Sequence, residues 1–538
     1  MKWRAEAARV ARAIARSRVA LFVALAVLVA LSYYERTRAL NASYWIDEGI
    51  SIGVAKHSLL EIPGVLRKDG SPPLYYLLLH VWTELFGTRE IVTHQLSLLF
   101  ALLAIPAGYW AASVWGRGAG LAAAAIAAFS PFLDVHAIET RMYSLVSMLG
   151  LLATGAFVRG FVLRQRRFVP VFAVLLAAML YSHNWSLFFA VGAGLGILGL
   201  ALRRRDWPLL RDGLLAGGGT LLLYAPWIPS LLYQAQHTGA PWSQPPNFDS
   251  LVDVPQALLG TDTAIAALVL SAGLGFVLIA RRGLPEDRRA AASLALALVA
   301  SIAVAFAVAL LNPGWASRYF AVFLAPLVLL LALGAGRARY VGAIGVVVFA
   351  VLSYNPVTPS PYFKSNAEAV ANEVNKSLRP RDVVLSTQPE QVPLLRHYLV
   401  SDLIWADPLG RVHDPRITDW RDIVERMREA RPPKSIEPVL RRVRPGRRLL
   451  VIRPIIRGRY GWRAPWTRLV RDRSVQIAKL LEDDERFRKV DTYRGMTKVR
   501  ARRVGVIAIV YVRKREKRGS ETRRAKLGST ARSTIARP

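Results

Sequence analysis

The chain has 538 residues, 53% of them hydrophobic, with a mean hydropathy of +0.28 and no cysteine. This composition excludes a soluble globule, because many apolar runs approach the ~20 residues that cross a bilayer, and it excludes disulfides, a thiol nucleophile and a cysteine-held metal. The formal net charge of +35 raises the question of a nucleic-acid partner. However, the bases cluster at the ends of apolar segments and in the C-terminal third, as topology signals and contacts with anionic membrane lipids do, so no nucleic-acid partner is expected.

Residues 1–18 carry six bases (Lys2, Arg4, Arg9, Arg12, Arg16, Arg18) against one acid, Glu6, and form a basic cytoplasmic N-terminus. The apolar run at about 19–35 is a first transmembrane helix. No small-x-small cleavage site follows it, which argues against a removed signal peptide. An outer loop over 37–90 follows, beginning with Tyr44-Trp45-Ile46-Asp47-Glu48-Gly49. Taken alone, these acids read as a solvated loop beside an interfacial Trp. The reading tested below makes Asp47 a catalytic base at a membrane surface. Farther along, Pro72 to Trp82 is apolar but leaves only about 15 residues before Gly87, short for the ~17–25 of a transmembrane helix. Its double proline start and its Tyr, His and Trp content predict a juxtamembrane helix lying in the interface.

With the chain outside until residue 91, spans alternate near 91–114, 119–135, 142–162, 168–183, 185–202, 211–232, 262–280, 289–311, 317–336 and 339–355. Every basic cluster then falls inside: Arg117, Arg159 to Arg167, Arg203 to Arg211, Arg281 to Arg289, and Arg337 with Arg339. Counting 72–87 as a span would place all of them outside, so the positive-inside rule favours about eleven spans over 19–355, N-terminus in and C-terminus out. After Asn355-Pro356 the composition changes. A helix over 366–378 and apolar runs at Val383–Leu385, Leu449–Ile452 and Val506–Val510 predict a soluble extracytoplasmic α/β domain over 356–513. Residues 514–538 are rich in Lys, Arg, Ser and Thr and read as a basic disordered tail.

This topology gathers Asp47, Glu48, Asp69, Glu139, Arg141, Tyr143, His183, Asn184, Arg318 and Tyr319 on one side of the membrane. Ionisable groups at helix mouths are functional candidates because stranding them in hydrocarbon is costly. Taken singly, each also reads as an interfacial residue reaching for headgroups.

The ordered set resembles the GT-C type integral membrane glycosyltransferases, in particular glycosyltransferase family 39, a group that resembles the protein O-mannosyltransferases and the lipid A aminoarabinose transferases. The matching pieces are Asp47-Glu48 after the first span, Pro72 to Tyr76 running to Phe86-Gly87, and Ser130-Pro131 followed by Glu139-Thr-Arg141-Met-Tyr143-Ser-Leu145. Tyr181-Ser-His183, and Arg318-Tyr319 leading to Pro326, complete the set. Many relatives carry His or Lys before the double proline, whereas this chain has Ser71. The resemblance implies an α-helical polytopic membrane protein of GT-C fold with a C-terminal extracytoplasmic α/β domain. It implies transfer of a sugar, with inversion, from a polyprenyl-phosphate donor to a hydroxyl of a lipid, cell-wall glycan or protein. In that reading Asp47 and Glu48 are catalytic, Asp47 being the base, and Glu139, Arg141, Tyr143, His183, Arg318 and Tyr319 bind donor phosphate or sugar. His183 is a contact for phosphate or for a divalent metal ion, whose presence the resemblance leaves open. The competing reading is a lipid or sugar transporter or flippase, which would carry charges in the middle of its spans and paired halves with broken helices.

Overall fold

The computed structural model describes residues 17–354, 364–400, 402–455, 464–494 and 505–515. The basic N-terminus expected over 1–18 and the tail expected over 514–538 lie, except at their inner ends, outside the described residues. Among the described residues, eight helices are long and apolar enough to cross a membrane. They are Arg18–Ala39, Glu90–Trp115, Tyr143–Val162, Ser186–Arg203, Trp207–His237, Asp262–Arg282, Pro285–Leu311 and Ser317–Arg337. A bent pair, Arg117–Ala128 with Pro131–Ala137, and two shorter apolar helices, Phe168–Ser182 and Tyr340–Ser353, occupy the remaining expected segments. The chain is a multi-pass membrane protein.

The expected straight span over 119–135 is instead bent by 50°. Pro131 opens the second piece, where its missing N–H costs nothing. The end of the first piece leaves carbonyls without helical partners. The buried Arg36 guanidinium donates to two of them, at Ala127 and Ala128, both at 3.0 Å, and pairs with Asp134 at 2.8 Å. Elsewhere the helices meet through small residues, as membrane helices do. Any Cβ at Gly275, for example, would overlap the carbonyl oxygen of Gly334.

Leu74–Phe86 is a helix of 13 residues, about 20 Å long at 1.5 Å per residue and too short to span. It buries Tyr75, Tyr76, Leu79 and Thr83 and exposes Leu78, Val81, Leu85 and Phe86. That two-faced pattern is the one expected of a helix lying in the interface.

The arginine-bearing turns gather at one end of the bundle. Arg117 donates to Ser17 O, Arg159 to the carbonyls of Trp110 and Ala111, and Arg337 to Trp115 O. Arg337 also grips both oxygens of Asp287 at 2.8 Å, and Arg164 and Arg166 share Asp212. The other end carries the sheet domain.

The sheet has strands β1 (Val383–Ser386), β2 (Ile404–Asp407), β3 (Gly410–Arg411), β4 (Arg448–Pro454), β5 (Phe487–Tyr493) and β6 (Val506–Arg513), ordered β3-β2-β1-β4-β6-β5. β1 lies parallel to β2 and β4, while β6 is antiparallel to β4 and β5. The three expected runs are β1, β4 and β6, and the expected helix is Ala367–Asn375. β2 and β3 are too short to read as apolar runs, and β5 is an edge strand whose middle residues are exposed.

The sheet domain docks on the helix Ile46–Ala55, the first after the span Arg18–Ala39. At Gly49 a Cβ would run into Leu394 of the helix Val392–Tyr398, so only glycine permits this approach. Around it, Tyr44 N–H donates to the Tyr398 hydroxyl at 2.7 Å, that hydroxyl donates to Glu90 at 2.7 Å, and His57 meets Asp414 at 2.8 Å.

Because the natural chain has no cysteine, Lys68→Cys and Arg89→Cys each introduce a single exposed thiol, one on either side of the 74–86 helix. Both are expected to react with an impermeant maleimide added outside intact cells. Protection of Arg89→Cys alone would make 74–86 a span.

Candidate active site

Asp47 and Glu48 lie in the first turn of a helix, not in a loop. Carboxylates are favoured there by the positive end of the helix dipole. Successive residues on a helix point about 100° apart, and the two acids accordingly part company.

Glu48 turns into the protein and is fully buried. The Lys364 ammonium donates to both its oxygens at 2.8 Å, His94 Nε2 lies 2.7 Å from Oε1, and Thr140 N–H donates to Oε1 at 2.8 Å. Lys364 also donates to Ile138 O at 2.7 Å. Burial pushes the Glu48 carboxyl up, but the adjacent Lys364 and His94 outweigh it and hold the group below the ordinary carboxylate range. Glu48, expected to be catalytic, is thus held in a buried clamp and is not among the residues that line the cavity described below.

Asp47 turns the other way, into a cavity of about 310 Å³. Its carboxylate meets the Arg318 guanidinium at 3.6 Å. Arg318 comes from the turn that opens the span Ser317–Arg337, and its guanidinium lies 4.3 Å from the ring centre of Trp242 and 5.2 Å from that of Tyr319. Such rings favour a cation held out of water. Arg141 reaches the cavity from the turn before Tyr143–Val162 and donates to the Tyr76 hydroxyl at 3.0 Å and Ser51 Oγ at 3.2 Å. Asp69, His183, Asn184 and Tyr319 complete the polar wall, and Trp420 of the sheet domain also borders it. Burial pushes the Asp69 carboxyl up, against the opposing pull of its Ser71 hydrogen bond and of Arg141.

The wall is incompletely satisfied. The Nε atoms of Arg141 and Arg318 and Asn184 Oδ1 are buried without a hydrogen-bond partner. Unpaired buried polar atoms are costly, and their convergence on one cavity fits a polar ligand.

Of the other expected site residues, His183 lines the cavity, with Nδ1 accepting from Trp185 N–H at 3.1 Å. Tyr143 stands just behind it, fully buried, its ring 5.8 Å from that of His183 and 6.4 Å from that of Tyr319. Glu139 does not reach the cavity. Expected to bind donor, it is buried against His136 at 2.9 Å instead of lining the cavity. Trp242, Trp420, His94 and Lys364 were not anticipated. Each comes from a segment whose approach to the site is set by tertiary packing.

Among the described residues, no group of three or more His, Asp or Glu side chains is placed to hold a metal ion. Two carboxylates flanked by two guanidiniums do not suit a divalent cation held by protein ligands alone, and no step below uses one.

A bundle of apolar helices with a polar cavity at one mouth, roofed by a small mixed sheet, defines the class of this protein. No protein-family model matches the chain, and no curated protein matches it in sequence. Its fold is shared with the crystal structure of ArnT from Cupriavidus metallidurans bound to undecaprenyl phosphate, at a TM-score of 0.58 and 13% identity over 90% of this chain and 97% of that one. The apo structure of the same protein matches at 0.56 and 14% identity, over 91% and 97%. The chain thus has the GT-C membrane fold that the sequence resemblance implied.

Removing one partner of a buried ion pair costs about 3–5 kcal/mol. Lys364→Met is therefore expected to lower the melting temperature in detergent markedly at neutral pH. A carboxyl held below its ordinary value stabilises the fold above the ordinary carboxylate range and ceases to do so as pH falls through its lowered value. The gap between wild type and variant should accordingly narrow in acid. A pH-independent gap would contradict the clamp.

Proposed function

We propose that this chain is a membrane glycosyltransferase that moves a sugar from a polyprenyl-phosphate donor to an acceptor hydroxyl on the extracytoplasmic face of the plasma membrane. The observation that carries the proposal is a cavity that holds a carboxylate, Asp47, ion-paired to Arg318, together with a second guanidinium, Arg141, in a fold shared with a protein bound to undecaprenyl phosphate.

The chemistry needs three things. A base must take the acceptor proton, and Asp47 is the carboxylate that faces the cavity from a rigid helix. Charge must be offset on the phosphate as it leaves, and Arg141 and Arg318 present fork-shaped donors, Arg141 with a buried Nε that makes no hydrogen bond and Arg318 with its Nε ion-paired to Asp47. The prenyl tail must stay in hydrocarbon, and the exposed face of Leu74–Phe86 offers apolar surface beside the cavity residues Ser71 and Pro72.

In the proposed step the acceptor oxygen attacks the anomeric carbon as Asp47 takes its proton. The bond from that carbon to the phosphate oxygen breaks on the opposite side, so the configuration inverts. The polyprenyl phosphate departs carrying the electron pair and the charge, which Arg141 and Arg318 meet. Asp69, Asn184 and His183 are the groups left to hold sugar hydroxyls. The acceptor is a hydroxyl of a lipid, a cell-wall glycan or a protein.

Purified protein incubated with radiolabelled undecaprenyl-phosphate sugars and membrane extract tests this directly. Asp47→Asn is expected to lower transfer by about 10²–10⁴-fold, the usual worth of a general base, at unchanged expression. Arg141→Ala should raise the KM for the lipid-phosphate donor. Near-normal turnover in Asp47→Asn removes the base assignment, and unchanged donor dependence in Arg141→Ala removes the phosphate assignment.

A further inference from the structure

The sheet domain contains a second cleft, of about 800 Å³, that shares no lining residue with the cavity holding Asp47. Seven of its fourteen lining residues are arginine, and Asp402 is the only acid among them. Two of these arginines have carboxylate partners, Arg441 with Glu437 at 2.9 Å and Arg447 with Asp382 at 3.7 Å. Among the described residues, Arg381, Arg396, Arg411, Arg442 and Arg444 have no carboxylate within 4.0 Å.

The fold brings these side chains together from distant parts of the chain. Arg381 lies two residues before β1, Asp402 two before β2 and Arg447 one before β4, so the cleft lies at the amino ends of the three parallel strands. Open α/β sheets ordinarily bind ligands at the opposite, carboxyl ends. Arg411 enters from β3, Arg396 from the helix Val392–Tyr398, and Arg442 and Arg444 from the end of the helix Glu437–Arg442 and the turn beyond it. Gly446 completes that turn at φ +82°, a conformation that favours glycine. Arg381 (φ 66°) and Asp402 (φ 61°) are both held in left-handed backbone, joined by a hydrogen bond from Arg381 N–H to Asp402 O. Non-glycine residues adopt that conformation only where their surroundings impose it.

Five arginines without a carboxylate partner line this one cleft, and a single monovalent anion would leave most of them unmatched. Guanidinium forks fit phosphate oxygens in pairs. We propose that this cleft is a binding site for a multiply charged phosphate ligand, distinct from the Asp47 cavity. The ligand is supplied either by anionic headgroups of the adjacent membrane or by a soluble polyphosphate. The cleft rim at His413 and Pro415 supports access from the membrane side: neighbouring Asp414 binds His57, and Arg416 donates to Lys56 O, both in the layer between sheet and bundle. The proposal is independent of whether the Asp47 cavity transfers sugar.

The test uses the full-length protein in phosphatidylcholine nanodiscs, titrated calorimetrically with inorganic tripolyphosphate. Saturable binding is expected, weakened at least tenfold in Arg411→Gln/Arg444→Gln. The control Arg468→Gln/Arg488→Gln, which removes the same charge from exposed positions elsewhere on the domain, should stay within twofold of wild type. Matching melting temperatures establish that both variants fold. No saturable binding, or equal weakening in the two variants, overturns the proposal. Repeating the titration in nanodiscs containing phosphatidylglycerol distinguishes the sources. Loss of the tripolyphosphate signal assigns the cleft to headgroups, and its persistence assigns it to soluble phosphate.

Discussion

The arrangement of this protein depends on one buried ion pair. Lys364, at the start of the sheet domain, meets Glu48, in the first turn of the helix Ile46–Ala55, with both side chains withdrawn from water. Desolvating two charges is expensive, and such a pair adds little stability over a well-packed apolar contact. What it does is exact a large penalty for any arrangement that separates its members. Through His94 it fixes the helix Glu90–Ala112, and through Thr140 and Ile138 the turn that carries Arg141. Four segments far apart in the chain are thus locked around a single carboxylate.

Because Asp47 is the next residue on the same helix, the lock that buries Glu48 also aims Asp47 into the cavity. The cavity itself carries two guanidiniums against that carboxylate and a second acid, Asp69, which burial biases toward its neutral form. Aromatic faces shelter one of the cations. Such a site sets two guanidinium donors within one cavity, which suits a ligand that becomes more anionic as it leaves. The divergence of the adjacent acids, one buried in the clamp and one facing the cavity, follows from helix geometry.

Much of the fold was legible in the sequence. The apolar runs and the arginine-bearing turns located the membrane helices, and the length of 74–86 separated an interfacial helix from a span. The kink at Ser130-Pro131 was not anticipated, although proline marks it, because apolar composition continues across the break. β2, β3 and β5 escaped notice because short or edge strands carry no continuous apolar signal. Of the residues singled out in the sequence, Asp47, Arg141, His183, Arg318 and Tyr319 line one cavity. That Glu48 turns away from the cavity was not legible, because the acidic pair was read as a loop, where adjacent side chains have no fixed divergence. Nor was the turn of the Glu139 carboxylate back onto His136, since its neighbour Arg141 faces the cavity. Lys364 contacts Glu48 across 316 residues of chain, and no local pattern signals a partner at that distance.

The most direct test of the central claim is a structure of this protein with undecaprenyl phosphate bound. The phosphate oxygens are expected within hydrogen-bond distance of the guanidiniums of both Arg141 and Arg318, in the cavity that Asp47 faces. A phosphate seated elsewhere, with Arg318 still turned to Asp47 and Arg141 to Tyr76, would contradict the assignment of that cavity as the site of transfer.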